Sequence, residues 1–327
     1  MWKNIRPYIR DAYRLWNAFR GFIYDLTRFV KYGGWKGRLT DVQYRNYNAA
    51  MVYHGLEKSL SYKSRNPNSG WRNASELSAI LEEAKKSENI GYHDRAAKVV
   101  LEKFIGIPEN TNADLAVSIE KGLKEIGFES NEVHGAIEHS KHDFLEGVLK
   151  DPEKFFFSRY SLREFRAEAV SETVIKRALK MALKTPSVCN RQPWAVYHTA
   201  DQAVKETALS FQSGNKPFGA NIPNLLIVAT DLKAFFAGNE HYQHWIDGGL
   251  FSMSIMYALH SIGVGSCALN WSQDPKIDKK IRKKLNISPS HTIIMMIAAG
   301  YPDDVNMVCA SSRKPLEDVY WNLEKLK

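Results

Sequence analysis

Four stretches of this chain gather residue types that hold charged or flat ligands. The first is Arg159-Tyr160-Ser161-Leu162-Arg163. Arg159, Ser161 and Arg163 sit at alternate positions, so an extended backbone points them the same way. Guanidinium forks match phosphate oxygens. The second is TPSVCNRQPWAVY, residues 185–197, which runs from a turn-rich segment into alternating apolar positions. Pro186, Ser187 and Asn190 favour turns. Asn190 and Gln192 each offer a donor and an acceptor, the mixture that the edge of a heteroaromatic ring requires. The third, GVGSCALNW at 263–271, carries glycines that let a backbone approach a ligand closely. Its order of helix, glycine turn and strand is the reverse of a dinucleotide fingerprint. The fourth is AAGYPDD at 298–304, followed by SSRKPLEDVYW at 311–321 with Arg313. Each has an ordinary reading when taken alone: a solvated basic stretch, a loop, a helix cap, a turn with a surface charge.

The elements around these stretches are legible in the periodicity. SETVIKRALKMALK at 171–184 predicts an amphipathic helix with Ser171 as N-cap. Residues 193–199, 224–231, 266–271 and 291–299 predict strands, the second (NLLIVATD) and fourth (HTIIMMIAA) being apolar runs of the kind buried on both faces. An apolar helix is expected over 242–262, ending at Gly263. This second part, residues 151–327, reads as an α+β domain, joined near Asp151-Pro152 to a mainly helical first part, residues 1–150. In that first part helices are expected over 76–105 and 112–126, the latter closed by Gly127. Tyr8, Ala12, Trp16, Phe19, Phe22, Ile23, Leu26 and Val30 follow helical spacing.

The 327 residues are 44% hydrophobic, enough for a substantial core, and carry a formal net charge of +9, which favours anionic partners. Residues 2–36 hold eight Lys/Arg and two Asp among many aromatics. Two readings stand for this segment: a helix lying on an anionic membrane surface, or a helix packed on its own domain with its arginines snorkelling over a buried aromatic stripe. No groove-reading motif appears, so nucleic acid is not an expected partner. Cys189, Cys267 and Cys309 are odd in number and scattered, which suits free thiols in a reducing cytoplasm rather than a disulfide framework. His134, His139 and His142 do not share one helical face, and no metal site is expected. The arginines break any secretory apolar core.

Taken in order, the four stretches resemble the nitroreductase family of FMN-dependent oxidoreductases. The shared features are an R-x-S-x-R start, a P-S-x-x-N-x-Q-P-W loop, a helix start with Asp247, Gly248 and Gly249, a G-x-G-S turn, a G-Y-P strand end and a late Arg-x-Pro-Leu, over roughly residues 155–322. The resemblance implies an α/β sandwich whose central sheet contains antiparallel strands, and a homodimer with FMN at its interface. It implies that Arg159, Tyr160, Ser161 and Arg163 hold the phosphate and ribityl chain and that Arg313 closes the phosphate site. It implies that Pro186, Ser187, Val188, Asn190 and Gln192 reach the flavin, from the partner chain, and that Gly265, Ser266, Leu269 and Asn270 run past the ring near N5. Two departures stand out: Ser311 where many relatives carry a lysine, and Cys189 where a small or hydroxyl residue is commoner.

The activity so implied is ping-pong transfer from NAD(P)H to a small nitroaromatic- or quinone-like acceptor. The cofactor does the chemistry and the protein binds and tunes it. A cation near flavin N1 stabilises the anionic reduced form, and Arg163 or Arg191 would serve. The competing reading is a non-redox scaffold that keeps the fold and acts at a membrane surface.

Overall fold

A computed structural model describes residues 2–109 and 113–325. Residue 112, where the sequence expectation starts its last N-terminal helix, lies outside them. Helices α1 (Trp2–Tyr32), α2 (Val42–Ser61), α3 (Trp71–Lys85), α4 (Tyr92–Ile105) and α5 (Ala113–Lys124) come first. Short helices α6 (Lys141–Glu146) and α7 (Pro152–Phe157) lead to α8 (Glu172–Ala182). Then follow β1 (Trp194–Thr199), α9 (Gln202–Leu209), β2 (Asn224–Asp231), α10 (Gln243–Ser261), β3 (Gly265–Asn270), α11 (Pro275–Lys284) and β4 (His291–Gly300). The fold is α+β, and every neighbouring pair of strands in the sheet, ordered β1-β2-β4-β3, is antiparallel.

Alternation along β2 and β4 builds two cores. Leu226, Val228, Ile297 and Ala299 face α8 and α10, and Leu225, Ile227, Met296 and Ala298 face α9 and α11. Both faces are covered, which is why β2 is apolar throughout. Ser171 accepts the Val174 amide and starts α8, as its side chain predicts. Trp194 stacks on Phe251 at 4.5 Å and fixes α10 across β1. Gly248 allows α10 to approach the sheet: a Cβ there would lie 2.4 Å from the Ile294 side chain. Ile294 sits where β4 bulges against β2, at the register shift after Val228.

The helical unit has its own core, built from Leu56, Leu77, Leu81, Leu101 and Phe104 among others. The single helix expected over 76–105 is two, α3 and α4, broken at Ser87–Ile90. The break serves a buried polar knot. Asp94 accepts from Arg45 Nε and Nη2, both at 3.0 Å, from Asn46 and from the Gly91 amide. Arg45 and Asp94 are fully buried, and Arg45 also donates to the Leu39 and Asn89 carbonyls. The Asn89 carbonyl is free to accept because the chain leaves the helix between α3 and α4. The expected cap at Gly127 is displaced: α5 ends at Lys124, three residues earlier.

Helix α1 does not join the helical core. It lies along the sheet unit, with Arg28 donating to Thr292 Oγ1 and to the Pro289 and His291 carbonyls. The helical unit sits on the same unit through α2. Tyr47 donates to Asp231, Lys233 donates to Gln43 at 2.6 Å, and Tyr44 meets Phe236 edge to face.

Candidate active site

The Arg159–Arg163 segment is extended, and Ser161 forms a parallel bridge with Ser266 of β3. The Leu162 amide donates to the Ser266 carbonyl at 3.0 Å. The bridge sets the arginines beside the glycine turn, as alternate positions on an extended chain require. Gly265 is the close approach: a Cβ there would stand 2.4 Å from Leu162 Cδ2. Arg163 donates to Cys309 Sγ at 3.6 Å, and both Arg159 and Arg163 act on the buried Cys267 thiol, whose pKa burial raises while they pull it down. Among the described residues neither Arg159 nor Arg163 has a carboxylate partner. Tyr160 is exposed beside them.

The 187–192 loop is held from several sides. The Val188 amide donates to Asp247 at 3.2 Å, and the Gln192 amide donates to Ser187 Oγ at 2.9 Å. Cys189, Asn190 and Gln192 take left-handed backbone angles of φ 48, 51 and 51. Such angles persist in non-glycine residues only where the surroundings impose them. Arg191 is the anchor. Its guanidinium is 2% exposed, donates to the Ala234 carbonyl at 2.7 Å and forks onto Glu240 at 2.8 and 3.0 Å. Burial pushes the Glu240 carboxyl up, but Arg191 and the Phe236 and Ala237 amides reverse this and hold it below its usual range. Arg191 is therefore a structural cation, not one free for a ligand. Arg191 also lies over the Phe236 ring, and Cys189 packs half-buried against the guanidinium at 3.7 Å.

The helical unit adds a brace that the sequence expectations did not contain. The buried imidazole of His93 on α4 accepts from or donates to Tyr53 Oη at 2.8 Å, and the nearby Arg191 backbone raises its proton affinity a little against the larger effect of burial. Val188 packs into a small cluster with Phe29, Tyr47 and Phe235. Neither His93 nor Glu240 carries a local sequence signal for this role, since both act across chain separations that spacing does not reveal.

The remaining candidates lie as follows. Ser266 is buried and Gly265 half-buried at the start of β3. The Leu269 side chain packs in the core beneath β3, so only its backbone faces outward. Asn270 is exposed, donates to Ser272 at 3.1 Å, and its carbonyl accepts from the buried Gln212. Pro186 is exposed and Asn190 half-buried. Arg313 lies on the exposed C-terminal segment against the Ser311 carbonyl.

Within one chain the two halves are far apart. The loop leads into Trp194, which pairs with Thr230 and through it with Thr292, whereas Ser266 pairs with Ala299. Seven residue steps along β4, from 292 to 299, separate these levels, roughly 23 Å at the rise of a strand.

Residues 157–221 and 202–301 match the model of the nitroreductase family. A protein of Archaeoglobus fulgidus described as a NADH dehydrogenase/NAD(P)H nitroreductase is 27% identical over 156 residues, covering 46% of this chain and 85% of the relative. A NADH dehydrogenase of Thermus thermophilus is 28% identical over 193 residues, 49% of this chain and 90% of the relative. The crystal structure of a nitroreductase-like protein from Streptococcus mutans aligns at 18% identity with a TM-score of 0.48, over 54% of this chain and all of that one. Over residues 157–301 the chain is similar to the nitroreductase family. The helical unit lies outside the matched range.

Proposed function

We propose that this protein is an FMN-dependent oxidoreductase that takes electrons from NAD(P)H and passes them to a small nitroaromatic- or quinone-like acceptor. The observation that carries the reading is the pair of guanidiniums, Arg159 and Arg163, left without carboxylate partners beside the Gly265–Ser266 backbone. The relatives named for NADH dehydrogenase and NAD(P)H nitroreductase activity support the donor.

The residues present fit FMN. Two unpaired guanidiniums suit a phosphate dianion. A loop of amides, turned by left-handed residues and stiffened by Asp247 and Ser187, suits a ring edge with both donors and acceptors. When bound, FMN supplies a centre that accepts a hydride and later gives it up. The chain's own work is binding and placement. Arg159 and Arg163 hold the phosphate end, with Arg313 closing over it. Asn190 and Gln192 address the ring edge, and the backbone of 265–270 lines one side. Arg191 is neutralised by Glu240, so of the two candidate cations only Arg163 is without a carboxylate partner among the described residues. Donor and acceptor use the same open side in turn, which makes the kinetics ping-pong.

The working unit in this reading is a homodimer. The loop and the arginine pair lie at opposite ends of one sheet, so a second copy turned end for end brings the loop of one to the arginines of the other. Helix α10 adds an outward row of Tyr242, Ile246 and Leu250, apolar and exposed in the single chain. No helix among the described residues is long and apolar enough to cross a membrane. The reading has the N-terminal helix touch an anionic membrane from the water side.

The visible absorption spectrum of purified protein tests the redox reading. A flavin spectrum bleached anaerobically by NADPH or NADH supports it. A protein that takes up no FMN on incubation refutes it and turns attention to the scaffold alternative.

A further inference from the structure

Up to its last turn, where Phe29 is buried, helix α1 packs with its amphipathicity reversed. Asn17, Arg20, Gly21, Tyr24 and Arg28, one helical face, point toward the body and are at least partly covered. Their partners are polar: Arg20 meets Asp274 at 3.4 Å, Tyr24 donates to Asp278 at 2.6 Å, and Arg28 binds the start of β4. The opposite face carries Leu15, Trp16, Phe19, Phe22, Ile23, Leu26 and Val30, all exposed, Phe22 at 67% and Leu26 at 57%. A stripe of that size on a soluble face marks an interaction site. This corrects the snorkelling expectation: the arginines are what the body binds, and the aromatic stripe is what it leaves outside.

Beside α1 runs α11, with Lys276, Lys279, Lys280, Arg282, Lys283 and Lys284 against the single acid Asp278. Asp278 is consumed: it holds Arg282 at 2.7 and 3.1 Å, Tyr24 and the Trp271 indole. Between the two helices lies a cavity of about 560 Å³ whose lining includes Tyr24, Thr27, Lys31, Lys279, Lys283 and Asn286. Arg28 and Arg282 form its floor, close enough that burial and then Arg282 lower the proton affinity of Arg28. Among the described residues Lys31, Lys279 and Lys283 have no carboxylate partner. Lys31 and Lys279 lie over the rings of Tyr32 and Tyr24, at 5.2 Å each. The rim touches the apolar stripe, since Thr27 lines the cavity and donates to the carbonyl of Ile23, one turn away on the stripe.

We propose that this cavity is a headgroup site for an anionic phospholipid, filled while the α1 stripe lies in the acyl boundary of the same bilayer. The inference rests on the membrane contact in the functional reading above and gives it a site and a lipid class. A free phosphate would satisfy the lysines but leave the stripe bare. An anionic bilayer answers both at once: basic residues near the surface are drawn to it and aromatic and aliphatic side chains enter its boundary.

The test is flotation of the full-length flavin-loaded protein with phosphatidylcholine vesicles, with and without phosphatidylglycerol. Variants are Lys279→Glu with Lys283→Glu, and Phe22→Ser with Leu26→Ser. The proposal expects binding only with phosphatidylglycerol, weakened roughly tenfold or more by the charge reversal and lost in the stripe variant, with NAD(P)H bleaching unchanged in both. Wild-type binding to neither vesicle overturns it, as does equal binding by the charge-reversed variant. Calorimetric binding of inorganic phosphate without vesicle binding reassigns the cavity to a free anion and overturns the lipid. A stripe variant that is monomeric by sedimentation, where the wild type is dimeric, assigns the stripe to a subunit contact and also overturns it. A colourless protein that still binds vesicles would separate failure of the flavin reading from failure of this one.

Discussion

Replacing Glu240 by glutamine removes the charge that, among the described residues, alone compensates Arg191 at hydrogen-bond distance, while nearly preserving shape. Arg191 is 2% exposed, so its guanidinium cannot turn to water. Glu240 accepts from both terminal nitrogens, at 2.8 and 3.0 Å, and also from the Phe236 and Ala237 amides at 2.8 and 3.2 Å. A glutamine keeps one oxygen for these donors and turns a second donor against them. Breaking a buried pair by removing one partner costs about 3–5 kcal/mol. The Glu240 side chain is 18% exposed, which places the expectation near about 3 kcal/mol. For a domain of this size that lowers the unfolding midpoint by roughly 6–12 °C. The loss falls on the candidate loop, because Arg191 stands between Asn190 and Gln192, both at φ 51. Flavin retention on desalting should therefore drop along with the midpoint. Arg191→Met with Glu240→Leu removes both charges and should recover most of the stability, since apolar replacement of a buried pair is often neutral or better. A Glu240→Gln midpoint within about 2 °C of wild type, with full flavin content, would refute the argument that this pair holds the loop.

Arg159→Ala with Arg163→Ala should abolish FMN retention. Mixing that variant with one defective in Asn190 and Gln192 should restore about a quarter of the sites if each site takes one half from each copy, and none if each chain carries a whole site; flavin absorbance per chain reads the difference. His93 and His244 are both pushed down from 6.5 to about 4, in each case by burial first. Their folded values lie below the unfolded ones, so their contribution is complete above about pH 6.5 and is lost as pH falls toward about 4, each at up to about 1.4 kcal/mol per pH unit. Urea midpoints at several pH values should show that decline, and His93→Gln with His244→Gln should flatten it. Gly248→Val pushes a side chain into Ile294 and should cost about 1–3 kcal/mol, read as a lower midpoint without a change in the near-neutral pH dependence.

Much of the sheet unit is readable before folding because its elements are locally determined. β2 and β4 are apolar on both faces and too short between turn signals to be anything but buried strands. α8 carries its cap and its stripe in sequence, and α10 ends at Ser261, two residues before Gly263, which takes the left-handed φ of 78. The candidate residues Arg159, Ser161 and Arg163 declare themselves by alternation. Other features lack any local cause. The break between α3 and α4 follows from the demand of Arg45 for the Asn89 carbonyl, a partner 44 residues away. The role of Arg191 turns on Glu240, 49 residues further along, which makes it a tether rather than a cation for a ligand.

The sequence by itself determined the strands, the amphipathic helices, the order of the family-like motifs and the alternate placing of Arg159 and Arg163, because each depends on residues a few positions apart. Periodicity also determined that α1 is two-faced, but periodicity has no direction. Only the tertiary structure decided which face turns inward, because Asp274 and Asp278 of the sheet unit select Arg20 and Tyr24 and leave the aromatic stripe exposed. Only the tertiary structure placed the two halves of the candidate site at opposite ends of one sheet, because strand register, not spacing along the chain, fixes how far apart they stand.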